Sequence, residues 1–264
     1  MKTIMKKMYF LLKTLIVLFS DKTNIRQFIN PKNIPFIIIN FNQLYYLKKL
    51  VNFALKRGFK KIIIIDNTST YPPLLKYYEE IKELITIERM DKNYGHLVFL
   101  NSQSLLEKYG QNFFILTDAD IVPNENLPDN FMRVLLWKLL KYFPKVLKVG
   151  FALRIDDIPS TFPSKEKVIK WEEKFWQNEI EKDLYEAPID TTFAVYKPNF
   201  KRYLTEFSNF YHALRLAGKY TAKHGGWYVD YENMSLEEKY YLKSANKSSS
   251  WITKESKTNN DQYL

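Results

Sequence analysis

An α/β fold is the prediction for this 264-residue chain, and three observations carry it. Short apolar runs rich in β-branched residues alternate with stretches of helical spacing from Pro35 onward. Each such run closes on an acid or an amide. The connections between runs are long enough to hold a helix, the mark of parallel strands joined by right-handed crossovers.

The elements follow in order. Phe36-Ile37-Ile38-Ile39 is a first strand ending at Asn40. Leu44, Leu47, Leu50, Val51, Ala54 and Leu55 then recur on one helical face, and Gly58 stops the helix. Lys61 to Ile65 forms a second strand, closed by Asp66-Asn67-Thr68-Ser69. Pro72 and Pro73 suit the first turn of a helix that Leu74 to Ile81 continues. Leu84 to Glu88 is a short third strand, and Gly95 to Tyr109 is expected to be helical. Phe113 to Leu116 is a fourth strand, running into Thr117-Asp118-Ala119-Asp120. Beyond it the pattern loosens. Leu127 to Tyr142 and Val168 to Trp176 read as helices, and Val146 to Leu153 and Phe193 to Tyr196 as strands. The expected organisation is a lead-in over 1–32, one domain over 33–251 and a mobile tail over 252–264. The domain divides into a regular half, 33–125, and a looser half, 126–251.

The stretch ending in Asp118 and Asp120 carries the most chemistry. Side chains alternate along a strand, so residues i and i+2 point the same way. Two carboxylates so placed repel unless a cation lies between them. A hard divalent ion, Mn²⁺ or Mg²⁺, is the natural occupant, with phosphate oxygens completing its shell. Open α/β sheets bind ligands beyond the carboxyl ends of their strands. Asn40, Asp66 and the Asp118/Asp120 pair all fall at that edge.

Composition narrows the alternatives. Hydrophobic residues make up 46% of the chain, enough for a large core. The formal charge of +11 invites a nucleic-acid partner, but the lysines are scattered rather than clustered, which argues against one. With no Cys, disulfides, thiolate metal sites and a Cys nucleophile are excluded. The first thirty residues hold six Lys or Arg and one Asp among apolar residues. Lys2, Lys6 and Lys13 share one face of a helix there. Tyr9 to Phe19 is too short and too interrupted to span a bilayer. A basic amphipathic helix of this kind either rests on an anionic membrane surface or packs its apolar face on the domain. The expected location is the cytoplasm, peripheral on the inner face of a membrane.

These residues resemble the nucleotide-sugar glycosyltransferases of the GT-A fold, nearest to the inverting family 2. The resemblance is carried by Asp66-Asn67-Thr68-Ser69 after a strand, by Asn93-Tyr94-Gly95 with Asn101 in register, and by Asp118-Ala119-Asp120 after an apolar strand. It covers Pro35 to Asp120 well and the remainder loosely. Phe99-Leu100 stands where the family has Ala-Arg, and no Glu-Asp pair occupies the usual catalytic position. The resemblance implies a Rossmann-like, mainly parallel sheet flanked by helices. It implies transfer of a sugar from a nucleotide-diphosphate donor, UDP-linked by expectation, to a glycan or lipid-linked acceptor.

Residue roles follow from the same resemblance. Asp66 would meet the base edge, Asp118 the ribose, and Asp120 the metal bridging the two phosphates. Asn40 borders the nucleotide, and Asn93 and Gly95 would open a helix whose free N–H groups face it. His224, in Lys223-His224-Gly225-Gly226, would join Asp118 and Asp120 as a metal ligand. Gly225-Gly226 permits close backbone approach to a phosphate. An inverting transferase needs a carboxylate base beside the acceptor hydroxyl. Asp190, in Ile189-Asp190-Thr191-Thr192, is preferred for that task, and Asp157 is its rival. Trp171, Trp176 and Trp227 are candidates for stacking on sugar faces or for core packing.

Two other readings compete. A haloacid-dehalogenase-like, Mg²⁺-dependent phosphatase also has a strand running into Asp-x-Asp and a later Asp-Asp, imitated here by Asp118-Ala119-Asp120 and Asp156-Asp157. Its nucleophile strand opens the domain, whereas a long αβ half comes first here. A basic module binding nucleic acid or a membrane surface is the third reading.

Overall fold

The computed structural model describes residues 12, 15–204 and 211–245. Lys2, Lys6 and Lys13, and the tail over 252–264, lie outside the described residues.

The alternating Ile residues of the first half explain its architecture. Strands β1 (Phe36–Asn40), β2 (Ile62–Asp66), β3 (Thr86–Arg89) and β4 (Phe114–Asp118) lie side by side in the order β3-β2-β1-β4, all parallel. Phe36, Ile38, Ile62 and Ile64 bury into one core, while Ile37, Ile39, Ile63 and Ile65 bury into another. Both faces are therefore covered, as a parallel sheet requires. Helices Tyr45–Lys56, Pro72–Ile81 and Phe131–Lys141 supply the first core through Leu47, Leu50, Val51, Leu74, Leu135 and Leu139. Val98, Phe99, Leu105 and Leu106 supply the second.

The second half adds strands of mixed direction. Strands β5 (Ile121–Pro123), β6 (Lys148–Leu153), β7 (Glu179–Glu181), β8 (Leu184–Glu186), β9 (Ala194–Tyr196) and β10 (Ala213–His224) complete one sheet, β3-β2-β1-β4-β9-β6-β10-β8-β7. Strand β9 is antiparallel to both β4 and β6. It fits because residue 150 is glycine. A Cβ there would stand 2.1 Å from the Phe193 carbonyl oxygen, closer than any side chain tolerates. Beside it Phe151 stacks on Phe193 with ring centroids 4.3 Å apart.

Several expectations need correction. The helix predicted over 95–109 is two pieces, Val98–Asn101 and Gln103–Tyr109. Ser102 breaks it by accepting the Leu105 N–H through its hydroxyl and so capping the second piece. Asn93 and Gly95 consequently form a turn, not a helix start. The helix predicted from Leu127 begins at Phe131, after Pro128. Strand β10, twelve residues long, was not predicted. Its register on β6 shifts between Leu216 and Thr221, and Gly218 and Lys219 are exposed there, which breaks the alternation a strand shows in sequence. The antiparallel β7–β8 pair and helix Leu236–Ser244 were also missed.

Candidate functional site

Strand register delivers the polar residues to one edge. Asn40 lies opposite Asp66 across β1–β2, and Ile39 lies opposite Asp118 across β1–β4. What each side chain does there differs from position to position.

Asn40 and Asp66 are sealed below the surface, exposed by 1% and 0%. The Asn40 amide donates to the Tyr78 hydroxyl oxygen at 2.9 Å and to the Gln43 carbonyl at 3.0 Å. Asp66 accepts the Tyr78 hydroxyl at 2.9 Å and the Ser69 N–H at 3.0 Å, and Arg89 Nε lies 3.4 Å away. This network fixes the turn after β2. Asp66 is thus engaged in internal hydrogen bonds rather than presented to a base edge, whereas Asn40 uses only its amide N–H groups and its buried Oδ1 has no partner. Burial, then the Asp66 charge, hold the Tyr78 hydroxyl firmly protonated as the donor. Half-exposed Arg89 is the charged group in front of them.

The turn over 93–95 is held from two sides. Gly95 N–H donates to Asn93 Oδ1 at 2.8 Å, a local Asx turn. Asn67 accepts the Tyr94 N–H at 3.2 Å and donates to the Gly95 carbonyl at 3.0 Å.

Asp118 and Asp120 sit at the end of β4 and just beyond it. The half-buried Asp118 accepts the Thr191 hydroxyl at 2.6 Å, and its N–H donates to the Thr191 carbonyl at 2.9 Å. Burial and then the neighbouring charge of Asp120 raise its proton affinity well above the usual carboxylate range, against the Thr191 hydrogen bond. Asp120 is brought to His224 by backbone pairing. Antiparallel β5–β10 sets His224 opposite Ile121, and Gly225 N–H donates to the Asp120 carbonyl at 2.7 Å. Asp120 Oδ2 then lies 3.4 Å from His224 Nδ1.

The spacing of that pair is compatible with a shared cation. Two ligands of one divalent ion, each about 2.1 Å from it, stand roughly 3.0–3.4 Å apart. His224 Nδ1 is buried with no hydrogen-bond partner. The ring is fixed by stacking on Trp227, centroids 4.9 Å apart and planes 9° apart. Among the described residues no three His, Cys, Asp or Glu side chains enclose an ion by themselves. Asp118, Asp120 and His224 therefore do not make the three-ligand set expected of them, and an ion on Asp120 and His224 would take its other ligands elsewhere. Tyr46 closes the back, its hydroxyl donating to the Gly225 carbonyl at 3.3 Å. A Cβ on Gly225 would strike that ring at 2.4 Å, so only glycine fits.

The two base candidates occupy different surroundings. Asp157 lies between two cations, Lys223 Nζ at 2.5 Å and Arg154 at 3.1 Å, and accepts the Tyr228 hydroxyl. Burial would raise its proton affinity, but the Lys223 and Tyr228 hydrogen bonds outweigh it and leave the carboxyl below the ordinary range. A carboxylate so neutralised is a poor base. Asp190 is next to Thr191, and therefore beside Asp118, whose proton affinity its charge helps to raise. Lys148, wholly buried on β6, donates to the Asp190 carbonyl at 2.9 Å. The half-exposed His96 Nε2 lies 3.8 Å from Asp190 Oδ1.

The structure therefore brings Asp118, Asp120, His224 and Asp190 to one edge. Sequence reasoning missed His96, Lys148, Thr191 and Tyr46. His96 directly follows the Asn93-Tyr94-Gly95 turn, the one signal that pointed to it. Trp227 is 1% exposed and committed to His224, while Trp176 packs on Tyr185 and Trp171 on Phe175.

No protein-family model matches the chain, and no curated protein matches it in sequence. Among solved structures, the mannosyltransferase PcManGT of Pyrobaculum calidifontis, in complex with GDP-Man and Mn²⁺, aligns over 92% of this chain and 74% of its own at 12% identity and a TM-score of 0.45. S. aureus TarS 1-349 aligns over 83% of this chain and 70% of its own, at 12% identity and a TM-score of 0.44. A UDP-glucose pyrophosphorylase in complex with UDP-glucose aligns over 70% and 74%, at 12% identity and a TM-score of 0.33. These are likenesses of chain course, and the chemistry rests on the residues themselves.

Proposed function

We propose that this protein is a metal-dependent glycosyltransferase that takes a sugar from a nucleoside-diphosphate donor, UDP-linked in the simplest case, and transfers it with inversion to a glycan or lipid-linked hydroxyl. One observation carries the reading: Asp120 and His224 face each other at the span of two ligands on one ion, beside Asp118 and the Asp190 turn. Asp120 and His224 would hold Mn²⁺ or Mg²⁺, with Asp118 at its side or on the ribose. When bound, the ion would neutralise the charge of the departing nucleoside diphosphate. Asp118, held by Thr191, keeps a fixed place against the donor. Asp190 takes the acceptor proton as the new glycosidic bond forms.

Asp190→Asn should lower turnover about 10²-fold or more, leaving nucleotide affinity near that of the unaltered protein. Asp157→Asn should disturb the Lys223 and Arg154 cluster and turnover only mildly. Steady-state rates and calorimetric UDP affinity for both variants decide this. A collapse confined to the Asp157 variant moves the base there, and retention of anomeric configuration by NMR removes the need for such a base.

Work at the inner face of a membrane fits the apolar residues Leu12, Leu15, Ile16 and Phe19, which are exposed and recur at helical spacing. No helix among the described residues is long and apolar enough to cross a bilayer. Replacing Ile16 and Phe19 by Ser should weaken co-sedimentation with anionic vesicles; equal sedimentation contradicts the surface role.

A further inference from the structure

We propose that His96 is the proton partner of Asp190: during transfer it takes up, through Nε2, the proton that Asp190 accepts, and passes it to solvent. This rests on the reading of the site as a glycosyltransferase. It adds a positioning and relay residue that the Asp-x-Asp pattern does not imply.

The geometry that carries it is the meeting of two fixed turns. One bears His96, and the Asn67 and Asn93 side chains pin the two residues before it at three hydrogen bonds of 2.8–3.2 Å. The other bears Asp190, and buried groups hold it at three successive points. Arg215 Nε donates to the Pro188 carbonyl at 2.7 Å, Lys148 Nζ to the Asp190 carbonyl at 2.9 Å, and the Thr191 hydroxyl to Asp118 at 2.6 Å. Both Arg215 and Lys148 are inside the protein, exposed by 4% and 0%. The hydrogen bonds they donate are directional and fix the carbonyls they meet. Each turn is thus set independently, and they bring His96 Nε2 to 3.8 Å from Asp190 Oδ1, with about a third of each side chain open to water.

The chemistry gives such a neighbour a task. The acceptor oxygen bonds to the anomeric carbon as the bond from that carbon to the β-phosphate oxygen breaks, and the bonding pair leaves with the nucleoside diphosphate. The acceptor proton goes to Asp190. A carboxyl left protonated must shed that proton before the next turnover. An imidazole lone pair at hydrogen-bonding range after a small closure accepts that proton and returns it to water. Gaps of this size in unliganded sites tighten when substrate binds.

The test uses the full-length protein with Mn²⁺ and, as donors, UDP-glucose, UDP-N-acetylglucosamine and GDP-mannose, with water as the acceptor. His96→Gln keeps a polar side chain that cannot carry the proton; Asp190→Asn and the double variant complete a cycle. For whichever donor the unaltered protein cleaves, His96→Gln should lower kcat about 10-fold or more. KM and the calorimetric affinity for UDP or GDP with Mn²⁺ should stay within about 2-fold. The double variant should be no slower than Asp190→Asn alone, because the two residues act as one unit. Multiplied losses in the double variant, an unchanged kcat in His96→Gln, or a loss confined to KM would each overturn the relay while leaving the transferase reading intact. Failure of the unaltered protein to bind nucleotide with Mn²⁺ or to cleave any of the three donors would overturn that reading, and the relay with it.

Discussion

The two halves of the sheet are stabilised by different means. Strands β1, β2 and β4 are packed by Ile, Leu and Phe on both faces, and their polar residues come at the last position, or in β4 the last two. Among the described residues the second half buries four Lys, Arg or Glu side chains, against Asp66 and Asp120 in the first. Lys148 on β6, Lys197 just after β9, Arg215 on β10 and Glu172 are each exposed by 4% or less. Arg215 bonds Glu172 at 2.7 Å and lies over the Phe175 ring at 4.1 Å. Apolar burial is non-directional and sets a layer. Buried ion pairs and hydrogen bonds are directional and set a position, at a cost in desolvation. The half that carries the Asp190 turn uses the directional kind.

That contrast is open to tests of decreasing size. Removing one member of the buried pair, by Glu172→Ala, leaves the Arg215 charge uncompensated and should cost about 3–5 kcal/mol in urea unfolding. Replacing both, by Glu172→Leu with Arg215→Met, should recover most of that stability but loosen the Pro188 carbonyl and slow turnover. Full activity in the double variant would show that the pair positions nothing. In the first half, Ile38→Val removes one methylene from a fully buried site and should cost about 0.5–1.5 kcal/mol with no effect on nucleotide affinity.

The smallest effect belongs to the surface. Glu181 is drawn down to about 2 by hydrogen bonds from Lys138, Lys141 and Tyr142, which outweigh burial. Its folded value lies below its ordinary 4.5. Its contribution is therefore complete above pH 4.5 and fades as pH falls toward 2. Glu181→Gln should make stability less sensitive to acid across that window, by no more than about 1 kcal/mol for so solvated a group. Urea midpoints at pH 6 and pH 3 for both proteins measure it; identical acid sensitivity would remove Glu181 from the account.

The same contrast explains what could be read in advance. Apolar runs bounded by Asn40, Asp66 and Thr117-Asp118 announce buried parallel strands, because burial on both faces favours apolar residues at every position inside them. Strand β10 does not announce itself: Arg215 is buried where a charge normally faces water, and Gly218-Lys219 interrupts the run. Asp118, Asp120, His224 and Asp190 were legible as residue types in order along the chain. Their convergence was not, since His224 reaches Asp120 only through the β5–β10 pairing and Asp190 reaches Asp118 only through Thr191. The burial of Asp66 was equally hidden, because the Tyr78 hydroxyl that claims it comes from the next helix. His96 was passed over because its partner lies 94 positions away along the chain.

The central claim is that Asp120 and His224 form half of a shell completed by a nucleotide's phosphates, and calorimetry of UDP and GDP with and without Mn²⁺ addresses it most directly. For the unaltered protein, binding of one nucleotide should require the ion. Asp120→Asn should weaken it about 10²-fold or more, since a hard ion loses an anionic ligand. Circular dichroism and the urea midpoint should be unchanged or slightly improved as the repulsion with Asp118 is relieved. Nucleotide binding of equal strength with and without Mn²⁺, or unchanged affinity in a folded Asp120→Asn protein, would contradict the account.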